Sequence, residues 1–148
     1  MSDNFIEKFD DLVIEQYYEN KNTIRDFIER TSMNEYVALK EISKHHNDEK
    51  IYLKDLAKTM QISYQALAQI IRNLKDKGYV NWTYDGDGKE GTYIEISEDG
   101  LNLLSSQKEF LKQYYSKILK VFGKDKLFQL LSLLHELQMV MHENRGDE

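Results

Sequence analysis

The sequence contains no proline, and this absence constrains the fold more than any other feature. Proline breaks helix interiors and punctuates loops, so a chain without it can form long, uninterrupted helices. The chain has only seven glycines, and three of them fall between residues 86 and 91, where they mark one local turn. The pattern predicts a mainly α-helical protein with a single small β feature.

Composition narrows the class of protein. Hydrophobic residues make up 41% of the chain and charged residues 31%, as in a folded globular protein. Every apolar run is far shorter than the ~20 residues of a membrane helix, and the acidic start lacks the basic and apolar blocks of a signal peptide. Cysteine is absent, which excludes disulfides, thiolate metal sites and thiol-based redox sensing. We therefore expect a cytoplasmic protein that does not associate with membranes.

The charge is unevenly distributed along the chain. The net charge of −6 argues against a protein that coats nucleic acid indiscriminately. The stretch from Leu53 to Ile96 holds six basic and six acidic residues, so it is neutral and the remainder carries the full −6. The middle of the sequence is thus its least acidic part, although it is not a basic patch.

The central segment has the spacing of a helix-turn-helix. Apolar residues between 53 and 74 recur at steps of three and four on two short helices, which meet at a tight turn near residues 60–62. Ser63 is well placed to cap the second helix, and Ala57 is small enough to let the two helices cross closely. In such a motif the second helix can enter the major groove of DNA.

A β-hairpin is predicted directly after this motif. Gly78 is placed to end the second helix as a left-handed residue. Two runs with period-2 alternation, 80–84 and 92–96, flank the glycine-rich loop, and residues 51–53 could form an edge strand. A helix-turn-helix followed by a hairpin predicts a winged helix, with a DNA-binding lobe at 34–97 and its wing at about 79–97.

Long amphipathic helices flank this lobe. Residues 4–30 and 98–145 carry apolar side chains at helical spacing, with a break at Gly123. A chain of 148 residues has little else to bury them, so a dimer seam is favoured over a purely intramolecular core. The chain, 1–148, is then one winged-helix chain with dimerisation helices at both ends. The residues expected at the seam are Phe5, Phe9, Leu12, Leu127, Leu130, Leu131, Leu134, Leu137 and Met141.

The second helix of the motif carries the residues that could read DNA. Its predicted buried stripe is Leu67, Ile70, Ile71 and Leu74, which leaves a polar face outside. Gln can pair with adenine, Arg with guanine or phosphate, and an Ala methyl with the thymine methyl, while the start of the helix can hold a phosphate. An ordinary solvated helix face is the alternative for each single residue. The candidate contacts to double-stranded DNA are Lys54, Ser63, Tyr64, Gln65, Ala68, Gln69, Arg72 and, in the wing loop, Lys89.

The order and spacing of these elements resemble the MarR-type regulators (multiple antibiotic resistance regulators). Residues 62–80 are similar to the family's recognition helix and its ending of leucine, charged triplet, glycine and apolar residue. Residues 94–100 resemble its strand-to-helix junction, and the staphylococcal accessory regulators are a related branch. The resemblance implies a homodimer that binds a pseudo-palindromic operator, usually as a repressor. It also implies release by a small aromatic or phenolic ligand.

Two positions depart from the family pattern. Family wings typically carry an Asp-Arg pair at the tip, whereas this loop has Asp87 and Lys89 among acidic neighbours. Gln69 stands where a basic residue is common. Each change removes a favourable contact to phosphate or groove, so affinity should be modest or strongly salt-dependent. The departures also favour an alternative: a winged-helix adaptor that binds proteins and has little or no affinity for DNA.

Catalytic and metal-binding patterns are weak in this sequence. The simplest interpretation of the two histidine pairs is that they are solvated or interface residues; the pairs are His45-His46 and His135 with His142. The second pair could instead bind metal across a dimer or sense pH. The loop that begins at Asp85 lacks the glycine and glutamate of a calcium loop. The sequence has no phosphate-binding loop and no nucleophile–base pair. We expect no enzyme activity, no metal and no cofactor.

Overall fold

A computed structural model describes residues 3–27, 30–45, 50–84 and 91–145. Within these ranges it has six helices and one antiparallel sheet of three strands, so the predicted mainly α class with a small β wing is confirmed. In chain order the elements are α1 (Asp3–Phe27), α2 (Met33–Ser43), β1 (Ile51–Tyr52), α3 (Leu53–Met60), α4 (Tyr64–Asp76), β2 (Val80–Tyr84), β3 (Thr92–Ile96), α5 (Glu98–Phe122) and α6 (Lys124–Glu143).

The chain divides into two compact units, residues 1–108 and 109–148, and the boundary lies inside α5. The first unit holds α1 to α4, the sheet and the start of α5. The second holds the rest of α5 and α6. No helix in the described ranges is both long and apolar enough to cross a membrane.

The core of the first unit lies between α2, α3, α4 and the sheet. Three predicted core residues of α4, Leu67, Ile71 and Leu74, are completely buried, and Ile70 packs partly buried against the same cluster. Their spacing of three and four puts them on one face of the helix. Ala57 is also buried in this cluster, in agreement with the predicted close approach of α3 and α4.

The sheet has the order β1-β3-β2, with both pairings antiparallel. The hairpin register pairs Val80 with Ile96 and Trp82 with Ile94, which confirms the predicted wing strands. The predicted edge strand is also present, but it ends at Tyr52 because residue 53 already begins α3. The wing loop, residues 85–90, lies outside the part of the chain that the structure describes.

Ser97 joins the wing to α5. Its hydroxyl donates to the carbonyl of Gly78 at 2.6 Å and accepts from the N–H of Gly100 at 3.0 Å, while its own N–H donates to the carbonyl of Tyr79. A Cβ atom at Gly100 would lie 2.3 Å from that Tyr79 oxygen and 2.8 Å from Cγ1 of Ile96. The junction therefore requires glycine at position 100.

The terminal helices expose their apolar side chains. No residue of α6 is buried, and the apolar residues of α1 from Phe5 to Tyr18 are all exposed. Of the residues predicted for a dimer seam, only Leu127 is partly buried in the single chain. The other eight are exposed: Phe5, Phe9, Leu12, Leu130, Leu131, Leu134, Leu137 and Met141.

Candidate nucleic-acid interface

The turn between α3 and α4 depends on a left-handed residue. Gln61 has φ 57° and ψ 42°, a conformation that is uncommon for residues other than glycine. The N–H of Gln61 donates to the carbonyl of Lys58, and the N–H of Ile62 donates to the carbonyl of Ala57 at 3.1 Å. These bonds satisfy carbonyls in the last turn of α3 and form the tight turn that the sequence predicts.

Ser63 caps α4, as the sequence predicts. Its Oγ accepts from the N–H of Ala66 at 3.1 Å, and its carbonyl accepts from the N–H of Leu67. The cap uses the serine oxygen as an acceptor, so the hydroxyl proton can still be donated to a phosphate oxygen. Tyr64 follows as the exposed first residue of the helix. The start of α4 thus has the chemistry of an anion contact.

The outer face of α4 carries a chain of hydrogen bonds between exposed side chains. Arg72 Nη1 donates to Gln69 Oε1 at 3.2 Å, and Gln69 Nε2 donates to Asn73 Oδ1 at 3.0 Å. Gln65 lies one turn earlier and is also exposed. The sequence reasoning missed Asn73, although its spacing of four residues from Gln69 is the signal that places both on one face.

Ala68 does not lie on the outer face. It was predicted to meet a thymine methyl, but only 9% of its surface is exposed. The buried strip of α4 is therefore wider than the four predicted apolar residues, because position 68 lies three residues before fully buried Ile71 and shares its face of the helix. Its methyl group offers almost no accessible surface, so the expectation for Ala68 is wrong.

Basic residues near α4 are few. Lys54 is exposed in the first turn of α3, as a phosphate contact requires, and Lys89 lies in the wing loop outside the described ranges. Lys75, which was not predicted, places Nζ 4.8 Å from the centre of the Trp82 ring. This contact connects the end of α4 to strand β2, and such a cation–π pair is worth about 0.5–1 kcal/mol at an exposed site.

An ion pair fixes the C-terminal end of α4. Lys77 Nζ contacts Glu35 Oε1 at 2.5 Å and donates to the carbonyl of Arg30 at 3.1 Å. Glu35 is buried in the first turn of α2, where it also completes a capping box with Ser32. Helix α4 is therefore stabilised at both ends, by the Ser63 cap and by this pair.

A separate cavity of about 500 Å³ lies beside the end of α1 and the start of α2. Lys21 and Arg25 give it positive charge. Thr31 is only 8% exposed, and its Oγ1 is buried with no hydrogen-bond partner among the described residues. Such an orphaned hydroxyl is costly unless a bound molecule or water satisfies it. The lining residues are Tyr18, Lys21, Asn22, Arg25, Thr31, Ser32 and Met33.

The second histidine pair remains a hypothesis for a metal site across a dimer or for a pH sensor. His135 and His142 are exposed on α6. In the described ranges, no group of three or more histidine or carboxylate side chains is arranged to hold a metal ion. A metal site across a dimer therefore stays an untested alternative.

Comparisons with known proteins identify the fold. No protein-family model matches the sequence, and no curated protein does. A solved MarR family protein from Bacillus stearothermophilus aligns over 95% of this chain and 98% of its own, with TM-score 0.78 and 15% identity. A mutant of the Staphylococcus aureus transcription regulator MepR, bound to an oligodeoxyribonucleotide, covers 95% and 99%, with TM-score 0.57 and 14% identity.

The third structure is the heme sensor PefR from Streptococcus agalactiae, in complex with heme. It covers 99% of this chain and 100% of its own, with TM-score 0.61 and 16% identity. The alignments cover nearly the whole length of each chain, so these proteins share the overall fold described above. The similarity predicted from residues 62–80 and 94–100 is confirmed at the level of the fold, and the chain has the winged helix-turn-helix fold of the MarR-type regulators.

Proposed function

We propose that the protein is a DNA-binding transcriptional regulator that inserts α4 into the major groove. The observation that carries this proposal is the exposed polar face of α4, where Gln65, Gln69 and Arg72 project from a helix whose other face is locked into the core. Such side chains can hydrogen-bond to base edges, while Ser63 and Lys54 can hold the phosphate backbone. The fold is that of MepR, which has been captured with an oligodeoxyribonucleotide.

The regulator acts as a homodimer in this proposal. Monomeric proteins rarely expose large contiguous apolar surfaces, and α1 and α6 both do so. Charge supports a contact between two copies: residues 3–19 hold six acidic residues and one basic, whereas residues 112–126 hold five lysines and one acidic. A two-fold dimer presents two copies of α4 to a pseudo-palindromic operator with half-sites about 34–36 Å apart. Occupancy of an operator by this dimer would repress transcription.

Release by a small effector is the regulatory part of the proposal. The cavity near Thr31 falls within the range of small-molecule sites, about 300–1,000 Å³. Lys21 and Arg25 favour an anion, and Tyr18 offers an aromatic wall for a phenolic or aromatic carboxylate ligand. PefR, with the same fold, is a heme sensor, so a ligand-responsive member of this fold is known.

Salt-titrated binding to the DNA around the protein's own gene tests the function. We expect specific retention of a duplex at moderate salt, with an affinity that falls steeply as salt rises. Combined substitution of Arg72→Ala and Gln69→Ala should abolish specific retention. Asn102→Ala, an exposed polar change on α5, serves as the matched control and should leave binding unchanged.

The second candidate function is a protein-interaction adaptor. The net charge of −6 and the scarcity of basic residues near α4 favour it, because both weaken attraction to phosphate. Under this alternative, duplex binding is absent, or it is unchanged by the two substitutions on α4. Either result would reject the regulator.

A further inference from the structure

The hydrogen-bond chain on α4 has a direction that chemistry alone determines. Arginine has five N–H donors and no acceptor, so only the amide oxygen of Gln69 can face Arg72. The amide nitrogen of Gln69 must then face Asn73, which in turn must offer its own oxygen. The distances of 3.2 Å and 3.0 Å agree with this single arrangement.

This arrangement changes what Gln69 can do. Bidentate pairing with adenine requires the oxygen and nitrogen of one amide to point together at the base edge. In Gln69 both atoms are turned toward neighbours on the same helix, at positions three and four residues later. To pair with adenine, Gln69 would have to break both hydrogen bonds, and Arg72 would lose the contact that orients it.

The groups left for DNA on this part of the face are mostly donors. They are the remaining N–H groups of Arg72, the second N–H of Gln69 and the amide N–H groups of Asn73. In the major groove guanine presents two acceptors, N7 and O6, whereas adenine presents one acceptor and one donor. A donor-rich surface therefore matches guanine and opposes the amino group of adenine.

We propose that this part of α4 reads guanine in each half-site, through Arg72, and that Gln69 and Asn73 act as positioning residues. The inference rests on the proposed DNA-binding function and assigns its base preference. It replaces the sequence-based expectation that Gln69 pairs with adenine. The hydrogen bonds among these three side chains restrict the rotamers of Arg72 before binding. Less side-chain entropy is therefore lost when the guanidinium meets the base.

Selection of bound duplexes from a random pool tests the assignment. The wild-type protein should select a symmetric motif with one strongly preferred guanine in each half-site. Arg72→Ala should remove the preference at that position alone and lower affinity for the selected site by about tenfold to a hundredfold for each half-site. Asn73→Ala should weaken the same preference by a smaller factor, because Gln69 loses one of its two anchors.

Gln69 variants separate positioning from direct reading. Gln69→Ala removes the acceptor that orients Arg72, so the guanine preference should weaken. Gln69→Glu keeps an acceptor for Arg72 and should restore that preference, even though its negative charge lowers affinity for every duplex. All three positions are on the surface or half-buried, and unchanged melting temperatures would show that the four variants remain folded.

Three outcomes overturn the inference. A selected motif with adenine at the position whose preference Gln69→Ala removes would show that Gln69 reads the base itself. A uniform loss of affinity in Arg72→Ala, with a shallower salt dependence, would show that Arg72 contacts phosphate. A wild-type protein that selects no motif would overturn the proposed function together with this inference, whereas the first two outcomes leave DNA binding intact.

Discussion

Apolar side chains are buried in the helix-turn-helix lobe, whereas they are exposed on the terminal helices. In the lobe, Leu67 and Ile71 have no exposed surface, whereas on α6 Leu131 is 54% exposed and Leu133 is 64% exposed. Both sets recur at helical spacing, so periodicity alone does not distinguish them. The difference shows that the apolar residues of the lobe find their partners within one chain, and it supports the proposal that the terminal helices pack against a second copy.

In the proposed function, the lobe and the terminal helices have different roles. The lobe holds α4 in place through the Ser63 cap, the buried stripe and the Glu35–Lys77 pair, and the proposed reading of DNA requires a helix that is held in this way. The terminal helices contribute apolar area that would be costly to leave in water, about 25 cal/mol per Å². In the proposed dimer they set the spacing between two reading helices.

The largest expected effect comes from the core of the lobe. Leu67→Ala should lower the free energy of unfolding by about 2–5 kcal/mol, because it leaves a cavity beneath α4. Urea denaturation followed by circular dichroism measures this loss. The matched control, Gln65→Ala on the exposed face of the same helix, should change stability by less than about 0.5 kcal/mol. Equal effects of the two would contradict the assigned core.

A leucine on α6 should act on association instead. Leu131→Ala removes about 2 kcal/mol of burial from each copy at the proposed seam, so the dimer dissociation constant should rise by about 100- to 1,000-fold. Sedimentation equilibrium measures it. Gln129→Ala, an exposed polar change on the same helix, is the control. If the wild-type protein stays monomeric at micromolar concentration, the proposal that the terminal helices pack against a second copy is contradicted.

The junction between the wing and α5 should respond to a single added methyl group. Gly100→Ala would force its Cβ against the carbonyl of Tyr79, and overpacking of this kind costs about 1–3 kcal/mol. Thermal unfolding should show a lower melting temperature, while Asn102→Ala two residues later should leave it unchanged. If Gly100→Ala leaves the melting temperature unchanged, the close approach of Gly100 to Tyr79 is contradicted.

The smallest effect is expected at the cap of α4. Ser63→Ala removes the acceptor of the Ala66 N–H and should cost about 1 kcal/mol of stability. Ser63→Asp keeps that acceptor and should retain stability, yet it places negative charge beside the DNA backbone and should weaken binding. Loss of stability in both variants, or unchanged binding in the aspartate variant, would contradict the two assigned roles of this residue.

Most of the structure of the lobe could be predicted from the sequence because the signals that mark its elements are local. Ser63, Gly78 and the glycine-rich loop each mark one boundary through their own backbone chemistry, and the structure places a cap, a helix end and a hairpin at those points. The edge strand was also predicted, although its pairing with β3 rather than β2 depends on tertiary packing.

The candidate site was predicted less completely. Ala68 was assigned to the outer face because it lies outside the predicted apolar stripe of α4, but burial of a small side chain depends on what packs beside it. Asn73 was missed because its role arises from Gln69 and Arg72 together. Lys77 was likewise only one of a charged triplet until the fold placed it against Glu35.

Footprinting of the protein on its operator tests the central claim most directly, namely that two copies of α4 are paired by the terminal helices to read one duplex. The account predicts two protected major-groove segments, related by two-fold symmetry and about one helical turn apart, and Arg72→Ala should need a much higher protein concentration than the wild type to protect both. A single protected segment, or protection by Arg72→Ala at the wild-type concentration, would contradict it.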